Sequence, residues 1–410
     1  MYKAIKGMKD ILPDEVSKWQ FIEDEARKIF KNFNYKEIRT PILEFTSLFK
    51  RGVGENTDIV EKEMYTFDDK NGKSLSLRPE GTASVVRAFI QAKAYNLSPI
   101  NKYYYIGEMY RHERPQKGRY RAFHQMGVEM FGAASAASDF EIIKLIQSLL
   151  SAFKIDDYKF YINSIGCKEC RPNYKNELIK FLTPLKEELC HNCQKRVDTN
   201  PLRVLDCKSK SCQVVVKDAP IITDFLCDSC STHHNDLVNL LEDSNINYLI
   251  DPRIVRGLDY YVKTTFEVKV MNSDLGAQNT ILGGGRYNGL VKELGGPDIE
   301  AIGFGIGLER VILSLDENIN NDNFLDYSVI SLGKNSLKTS LKVVDKLREL
   351  GFKVDMDYRA GSMKSQMRWA NKQNSKKVII IGENELEKKI YIEKDMQNST
   401  QKEKNLSDLL

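Results

Sequence analysis

The sequence predicts an α+β chain, and three stretches predict it. Tyr103 to Gly132 holds two aromatic-rich runs around a dense cluster of arginines, the pattern of a long antiparallel hairpin with a basic loop. All eight cysteines fall between about Tyr158 and Tyr248, in a stretch that reads as an insertion. From Tyr327 to Ile381, short apolar runs alternate with helical periodicity, which implies a small parallel or mixed sheet of α/β type. At 410 residues the chain is too long for one ordinary core, so two or three domains are expected. Hydrophobic residues at 41% and charged residues at 29% are those of a soluble globular protein. No run of about 18 apolar residues occurs, and MYKAIKGMKD lacks a signal-peptide core, so the expected location is the cytoplasm, with no membrane partner. A net charge of +4 is too small to argue for nucleic acid without a concentrated patch.

Taken in order, a Gly- and Pro-punctuated start, KGMKDILP, leads into a helix from about Asp14 to Phe33. Val16, Trp19, Ile22, Ala26, Ile29, Phe30 and Phe33 share its apolar face. Tyr35 to Leu43 reads as a strand, and its Pro41 places it along a sheet edge. Leu75 to Thr82, LSLRPEGT, follows a turn at Asp68 to Gly72 and ends a short strand on a charged loop. In the hairpin, Tyr103 to Tyr110 and Ala122 to Phe131 are the strands, and Arg114, Pro115, Gln116, Lys117 and Gly118 carry the turn. Arg111, Arg114, Lys117, Arg119 and Arg121 form a candidate phosphate site, because guanidinium offers fixed bidentate donors. With strand periodicity Arg111 and Glu113 share one face, and Gln125, Gly127 and Glu129 another. Ser138 to Glu141 has the S-x-x-E pattern of a capping box opening a core helix, to which no chemistry is assigned.

In the insertion the cysteines come as Cys167 and Cys170, Cys190 and Cys193, Cys207 and Cys212, and Cys227 and Cys230. Three pairs are C-x-x-C, the spacing that brings two thiolates to one tetrahedral Zn²⁺, and the pair at 207 and 212 is looser. Two zinc sites of four cysteines each fit this pattern, and so does a set of reduced, partly buried thiols. The spacing leaves the pairing open. His191, His233 and His234 are nearby alternative ligands. After the insertion, Ile254 to Val268, IVRGLDYYVKTTFEV, reads as a buried strand with ordinary aromatics, Gly283 to Tyr287 as a glycine turn, and Ala301 to Arg310 as a Gly-rich strand feeding a helix. Asp316 to Asp326 is a polar linker. Strands at Tyr327 to Leu332, Phe352 to Met356 and Lys377 to Ile381 then alternate with helices at about Ser336 to Leu350 and Ser362 to Asn371. The tail from Gln397 is polar and expected to be poorly ordered.

Arg111-His112-Glu113 followed by RPQKGRYRAFHQ resembles motif 2 of the class II aminoacyl-tRNA synthetases in its histidyl form. RGLDYY from Arg256 and GGGRY from Gly283 resemble the two histidine signatures, and AIGFGIGLER resembles motif 3. The opening helix and strand resemble motif 1, which implies a homodimer. The resemblance covers nearly the whole chain. It implies a class II antiparallel-sheet catalytic core in two parts, residues 1–157 and 249–320. A Cys-rich insertion at 158–248 separates them, and an α/β anticodon-binding domain follows at 327–410.

The resemblance further implies a two-step histidine–tRNA ligase. Histidine carboxylate attacks the α-phosphate of ATP, and the tRNA 3′ ribose then takes the histidyl group, with Mg²⁺ on the leaving pyrophosphate. Glu80 would hold the substrate ammonium, and Thr82, Gln125, Glu129, Tyr260, Tyr261 and Tyr287 would line the histidine pocket. A pocket that pairs both imidazole nitrogens rejects substrates lacking them. Arg256 would contact the α-phosphate and substrate carboxylate, aided by Arg111, Arg119 and Arg310. Glu113 would accept from the adenine amino group and Phe123 stack on the base. Gln116 and Arg121 would meet the acceptor end of tRNA, and Lys364, Gln366 and Arg368 are candidates to face RNA. Two rivals are a noncatalytic histidine-binding regulatory paralogue of histidine biosynthesis, and a zinc-bearing RNA-binding protein with a merely structural core. The catalytic arginines and the C-terminal domain count against the first, and binding of tRNA without ATP would favour the second.

Overall fold

The computed structural model describes residues 2–54, 57–255, 260–271, 275, 279–316 and 324–410. The chain divides into two compact units, residues 1–11 with 18–317 and residues 12–17 with 318–410. Helix α1 (Pro13–Asn32) forms where its periodicity places it and buries Trp19, Ile22, Ala26 and Phe30. Its proline sits in the first turn, where an N–H has no helical partner to lose.

The single strand expected from Tyr35 to Leu43 is instead two, β1 (Lys36–Glu37) and β2 (Leu43–Phe45), in different sheets. Pro41 lies between them, since it has no N–H to give a ladder. Next come α2 (Thr46–Val53), one π turn at Ile59–Glu63, and the hairpin β3 (Thr66–Asp68) and β4 (Ser74–Leu77). Gly72 turns this hairpin at φ 73°, where a Cβ would be strained. Strands β2, β4 and β3 make a small side sheet. Helix α3 (Thr82–Gln91) leads to β5 (Asn101–Tyr110), β6 (Ala122–Phe131), α4 (Ala136–Ala152) and β7 (Tyr158–Ser164).

The cysteine-bearing stretch is helical, with α5 (Cys170–Leu182), α6 (His191–Thr199), α7 (Lys210–Val216) and α8 (Asp228–Asp243). Strands β8 (Tyr248–Ile250), β9 (Val262–Val270) and β10 (Thr280–Arg286), helix α9 (Leu290–Glu293), strand β11 (Ala301–Gly307) and helix α10 (Leu308–Leu313) complete the first unit. Its main sheet has eight strands in the order β1-β5-β6-β11-β10-β9-β7-β8. The pairs from β5 to β7 are antiparallel, and only the two edge pairs, β1 with β5 and β7 with β8, are parallel. The β5–β6 hairpin is in register from Asn101 opposite Phe131 to Tyr110 opposite Ala122. Arg111 and Glu113 therefore fall in its loop, outside the strand in which alternation was applied to them. The glycine run 283–285 is not a turn but the middle of β10, between β9 and β11.

The capping-box reading of Ser138 is not what the chain does. Helix α4 starts at Ala136, so Ser138 lies inside its first turn and its hydroxyl donates to the Ser135 carbonyl at 2.6 Å. Glu141 turns away to Lys102 at 2.6 Å. The helix also carries a fully buried ionic cluster. Asp139 meets Arg286 at 2.6 Å and His233 Nε2 at 2.7 Å, and Arg286 donates to the carbonyls of Ala133 and Ser135, both at 2.8 Å. Every charge in that cluster has a partner, which is the condition for burying one.

The second unit holds β12 (Tyr327–Ser331), α11 (Ser336–Glu349), β13 (Val354–Met356), α12 (Met363–Lys372), β14 (Lys377–Ile381), α13 (Glu383–Glu387), β15 (Ile390–Asp395) and β16 (Gln401–Asn405). Its sheet runs β13-β12-β14-β15-β16, with parallel pairing among the first three strands and antiparallel pairing beyond. The polar tail is thus ordered: β16 takes the open edge of β15, and Lys404 pairs with Glu393 at 2.9 Å. Gln366 does not face outward with Lys364 and Arg368. It is buried, its amide bridging Ser331 and the Gly361 carbonyl. Of the expected linker, residues 317–323 lie outside the described residues. Among the described residues no helix is long and apolar enough to cross a membrane.

Candidate active site

The centre of the main sheet carries a cavity of about 700 Å³. Its two ends have different chemistry. At one end β6 directs Gln125 and Glu129 to one face, as period-2 alternation requires. Strand β11 lies beside them with Gly303 opposite Glu129 and Gly307 opposite Gln125. A Cβ on Gly303 would overlap the Glu129 carboxylate, and one on Gly305 would overlap the Gln125 amide, so these glycines make the room those side chains occupy. Glu129 is 1% exposed and accepts from Thr82 Oγ1 at 2.7 Å and from the Tyr287 hydroxyl. Burial pushes its carboxyl up to about 8, the hydroxyls of Tyr287 and Thr82 hold it down, and the neighbouring Glu80 charge pushes it further up.

Glu80 is not in solvent. It is buried at the start of α3, accepting the N–H groups of Thr82 and Ala83 at 2.8 Å each. Two carboxylate oxygens on the first turn of a helix use both its orphan donors and its dipole. Burial raises its pKa, opposed first by the Ala83 N–H. Tyr260, Tyr261 and Tyr287 close this end, with ring centroids 4.7 Å apart for the first two and 5.6 Å for Tyr260 and Tyr287. Tyr105, whose hydroxyl lies 3.4 Å from Gln125 Oε1, completes it.

The other end is cationic and flatter. Arg111 donates from Nε to the Pro79 carbonyl at 2.8 Å, and its guanidinium lies over the Phe123 ring at 5.4 Å. Glu113 pairs with Arg119 at 2.7 Å and stands 3.9 Å from Arg111. Arg310, in the first turn of α10, donates to the carbonyls of Gly118 at 3.0 Å and Thr280 at 2.5 Å. Burial and then the like charge of Arg119 lower its pKa, the signature of cations gathered with an anion's place between them. Arg111, Glu113, Arg119, Phe123 and Arg310 all line the cavity, as do Glu80, Thr82, Gln125, Tyr260 and Tyr261, while Glu129 and Tyr287 lie just behind that wall. Gln116 and Arg121 do not line it. Gln116 pairs with Arg119 across the loop tip, and Arg121 donates to the Glu113 carbonyl at 3.1 Å. Arg256 lies outside the described residues.

Sequence reasoning missed several cavity residues. Glu63 comes from the π turn, and its carbonyl accepts the His112 N–H at 2.6 Å. Arg203, Asp206, Lys208 and Arg253 come from the insertion and its exit. Only the cysteines of that stretch had carried a signal. Tyr105 was readable, since the hairpin register sets it opposite Gly127, between Gln125 and Glu129.

The eight cysteines settle into two nested groups, 167, 170, 227 and 230 outside, and 190, 193, 207 and 212 inside, the four sulfurs of each group lying within 4.8 Å of one another. Cys167 Sγ lies 3.7 Å from Cys170 Sγ and 3.8 Å from Cys227 Sγ, and Cys190 Sγ lies 3.8 Å from Cys207 Sγ. A disulfide would need about 2.05 Å. A tetrahedral Zn²⁺ with Zn–S bonds of about 2.3 Å sets its sulfurs about 3.8 Å apart, so the donor sets fit that ion. Backbone N–H groups support the sulfurs, Cys227 N to Cys170 Sγ at 3.1 Å and Cys190 N to Cys212 Sγ at 3.2 Å. None of the three nearby histidines enters either group.

Residues 7–311 match the family model described as histidyl-tRNA synthetase, and residues 326–410 match the model of an anticodon binding domain. A histidine–tRNA ligase of Halothermothrix orenii is 48% identical over 411 residues, covering 100% of this chain and 98% of its own. Among solved structures, an apo histidyl-tRNA synthetase of S. aureus is 36% identical with a TM-score of 0.83, covering 100% of this chain and 98% of that one. A Bacillus halodurans protein described as an ATP phosphoribosyltransferase regulatory subunit/histidyl-tRNA synthetase is 21% identical at a TM-score of 0.67, covering 93% and 98%, and is similar in fold alone.

Proposed function

Because the chain belongs to the histidyl-tRNA synthetase family, we propose that its cavity joins histidine to ATP and passes the histidyl group to tRNA. The activity is that of a histidine–tRNA ligase. The observation that carries the reading is one cavity with a carboxylate and tyrosine end and an arginine end, sized for an amino acid and a nucleotide together. Glu80 and Thr82 take the substrate ammonium, and Gln125, Glu129, Tyr260, Tyr261 and Tyr287 surround the imidazole. Glu129 has one donor and one acceptor state available, which suits a ring that presents both.

At the other end Arg111, Arg119 and Arg310 face the phosphates, while Phe123 and Glu113 take the adenine. Arg256 is assigned to the α-phosphate and substrate carboxylate from its signature alone. Catalysis is positioning plus fixed positive charge, with no protein nucleophile. Mg²⁺ supplies charge neutralisation on the pyrophosphate when bound, and oxygen donors of the type it takes line the cavity at Glu63, Asp206 and Glu267. Gln116 and Arg121, on the outer loop, are assigned to the acceptor end of tRNA. Zinc in the two cysteine groups belongs to the same reading. So does a homodimer through the side sheet, where Leu43, Phe45 and Phe67 stand 43%, 53% and 47% exposed. The cytoplasm is the proposed location.

The regulatory paralogue has less support, because the anticodon-binding match and the cationic end of the cavity serve no regulatory subunit. The test is ATP–pyrophosphate exchange without tRNA, run with histidine beside other amino acids. Exchange with histidine alone supports the ligase. Histidine binding without exchange would leave the regulatory reading.

Glu129 makes this reading pH-dependent. Its carboxyl moves from 4.5 to about 8 in the folded chain, so its contribution to stability is full below about 4.5 and is lost as pH rises through about 8. The substrate's imidazole is neutral toward pH 8 and gives a ring N–H, which the ionised carboxylate accepts, so KM for histidine is expected to fall as pH rises toward 8. Glu129→Gln flattens that slope. An unchanged profile in the variant would assign the titration elsewhere.

A further inference from the structure

Resting on the zinc reading, we propose that the inner cysteine group, Cys190, Cys193, Cys207 and Cys212, is a metal-held positioning centre for the reaction cavity, with Asp58, Arg196 and Arg203 as its connection. The outer group, by contrast, closes the base of the insertion. The segment between Cys193 and Cys207 has no strand, is anchored by the buried Val197, Val204 and Leu205, and carries three charged residues aimed at one place. Arg196 Nη2 meets Asp58 Oδ2 at 3.0 Å, Arg203 Nη2 meets the same oxygen at 3.4 Å, and Arg203 Nη1 meets Asp206 at 2.8 Å. Arg203, Asp206 and Asp58 all line the cavity, as does Lys208, one residue beyond the ligand Cys207.

Asp58 immediately precedes the π turn Ile59–Glu63, whose last carbonyl holds the His112 N–H beside Arg111. The other limb of the inner group, after Cys212, is held as well. The carbonyls of Lys217 and Ala219 accept from Arg253, again a cavity residue, at 2.6 and 3.0 Å. Joining residues 193 and 207 through one ion removes most of the freedom of the segment between them, as closing any short loop does. With the ion in place the wall made of Arg203, Asp206 and Lys208 stands at fixed distance from the arginine end. Without it, the buried Val197, Val204 and Leu205 still anchor the backbone of that wall, but only two half-buried ion pairs to Asp58 are left to place its charged ends.

The test measures zinc and activity separately on full-length protein. Metal analysis of the purified chain is expected to give two zinc ions, and the metal-stripped chain titrated with Co²⁺ to show thiolate charge-transfer absorption saturating at two equivalents. Cys193→Ser keeps one zinc and loses at least about tenfold in exchange, as an entropic clamp of this kind permits. Asp58→Asn keeps both zinc ions and raises KM for ATP more than it lowers kcat, which a merely structural role in folding would not do. Fewer than two metal ions on the wild-type chain would overturn the zinc reading itself. Two metal ions with unchanged exchange in Cys193→Ser, or an unchanged KM for ATP in Asp58→Asn, would overturn the positioning role and leave the zinc standing.

Discussion

Arg111→Ala is expected to lower histidine-dependent ATP–pyrophosphate exchange by about 10²–10³-fold, the range for removing one preorganised donor from a developing charge. The side chain is held before any substrate arrives, by the Pro79 carbonyl at 2.8 Å and the face of Phe123. No reorganisation is therefore left to do when charge develops on the phosphate. Arg111→Lys should recover little, since an ammonium gives neither the planar stack nor the forked donors. The measurement is exchange under saturating histidine and ATP, with far-ultraviolet circular dichroism to show that the variant is folded. Wild-type exchange in that folded variant would remove Arg111 from the reaction.

Arg286→Leu is expected to destabilise the first unit by about 3–5 kcal/mol, the range for breaking a buried pair from one side. Although Arg286 stands next to Tyr287 in the second histidine signature, it is fully buried and faces α4. Its loss leaves Asp139 with His233 as its remaining partner, leaves the Ala133 carbonyl with only a long 3.4 Å bond from the Ser138 hydroxyl, and removes one of the donors to the Ser135 carbonyl. Replacing both partners, Asp139→Leu with Arg286→Met, should return part of the stability, because apolar groups of similar volume have no charge to leave stranded. Urea denaturation followed by tryptophan fluorescence reads this through Trp19, buried in the same unit. A double variant as unstable as the single one would place the loss in packing.

What the sequence made legible follows from what each signal depends on. Periodicity and turn chemistry are local, so the central hairpin, α1 and the strand and helix alternation of the second unit appear within a residue or two of their reading. Short strands are not local. The run from Tyr35 to Leu43 looks continuous, but two partners in two sheets divide it around Pro41. The tail beyond Gln397 is polar because only one face of β16 and its backbone are used, and an edge strand needs no apolar pattern for that. At the cavity, family motifs marked most of the residues proposed to meet substrate, and these line it. The walls contributed by Glu63, Arg203 and Asp206 came from chain distant in sequence, and nothing in their own neighbourhood announces them. The cysteine spacings announced thiolate pairs but not partners. Nesting is a tertiary fact, visible only once α8 has folded back on α4.

That folding back carries a wider consequence. Strands β7 and β8 are parallel neighbours, Phe160 beside Tyr248, and a parallel pair always requires a crossover of at least about a dozen residues, usually a helix. Helix α8 is that crossover, so the core of the protein needs only β7, α8 and β8 here. Everything from α5 to α7 is a detour that leaves and rejoins the chain between Cys170 and Cys227, two residues whose Cys227 N–H and Cys170 sulfur touch at 3.1 Å. A detour that returns to its own point of departure leaves the β7–α8–β8 connection intact while it carries Arg203, Asp206 and Lys208 to the cavity. The outer four sulfurs stand at that junction, so the metal they fit would clasp the detour where it leaves and rejoins the chain.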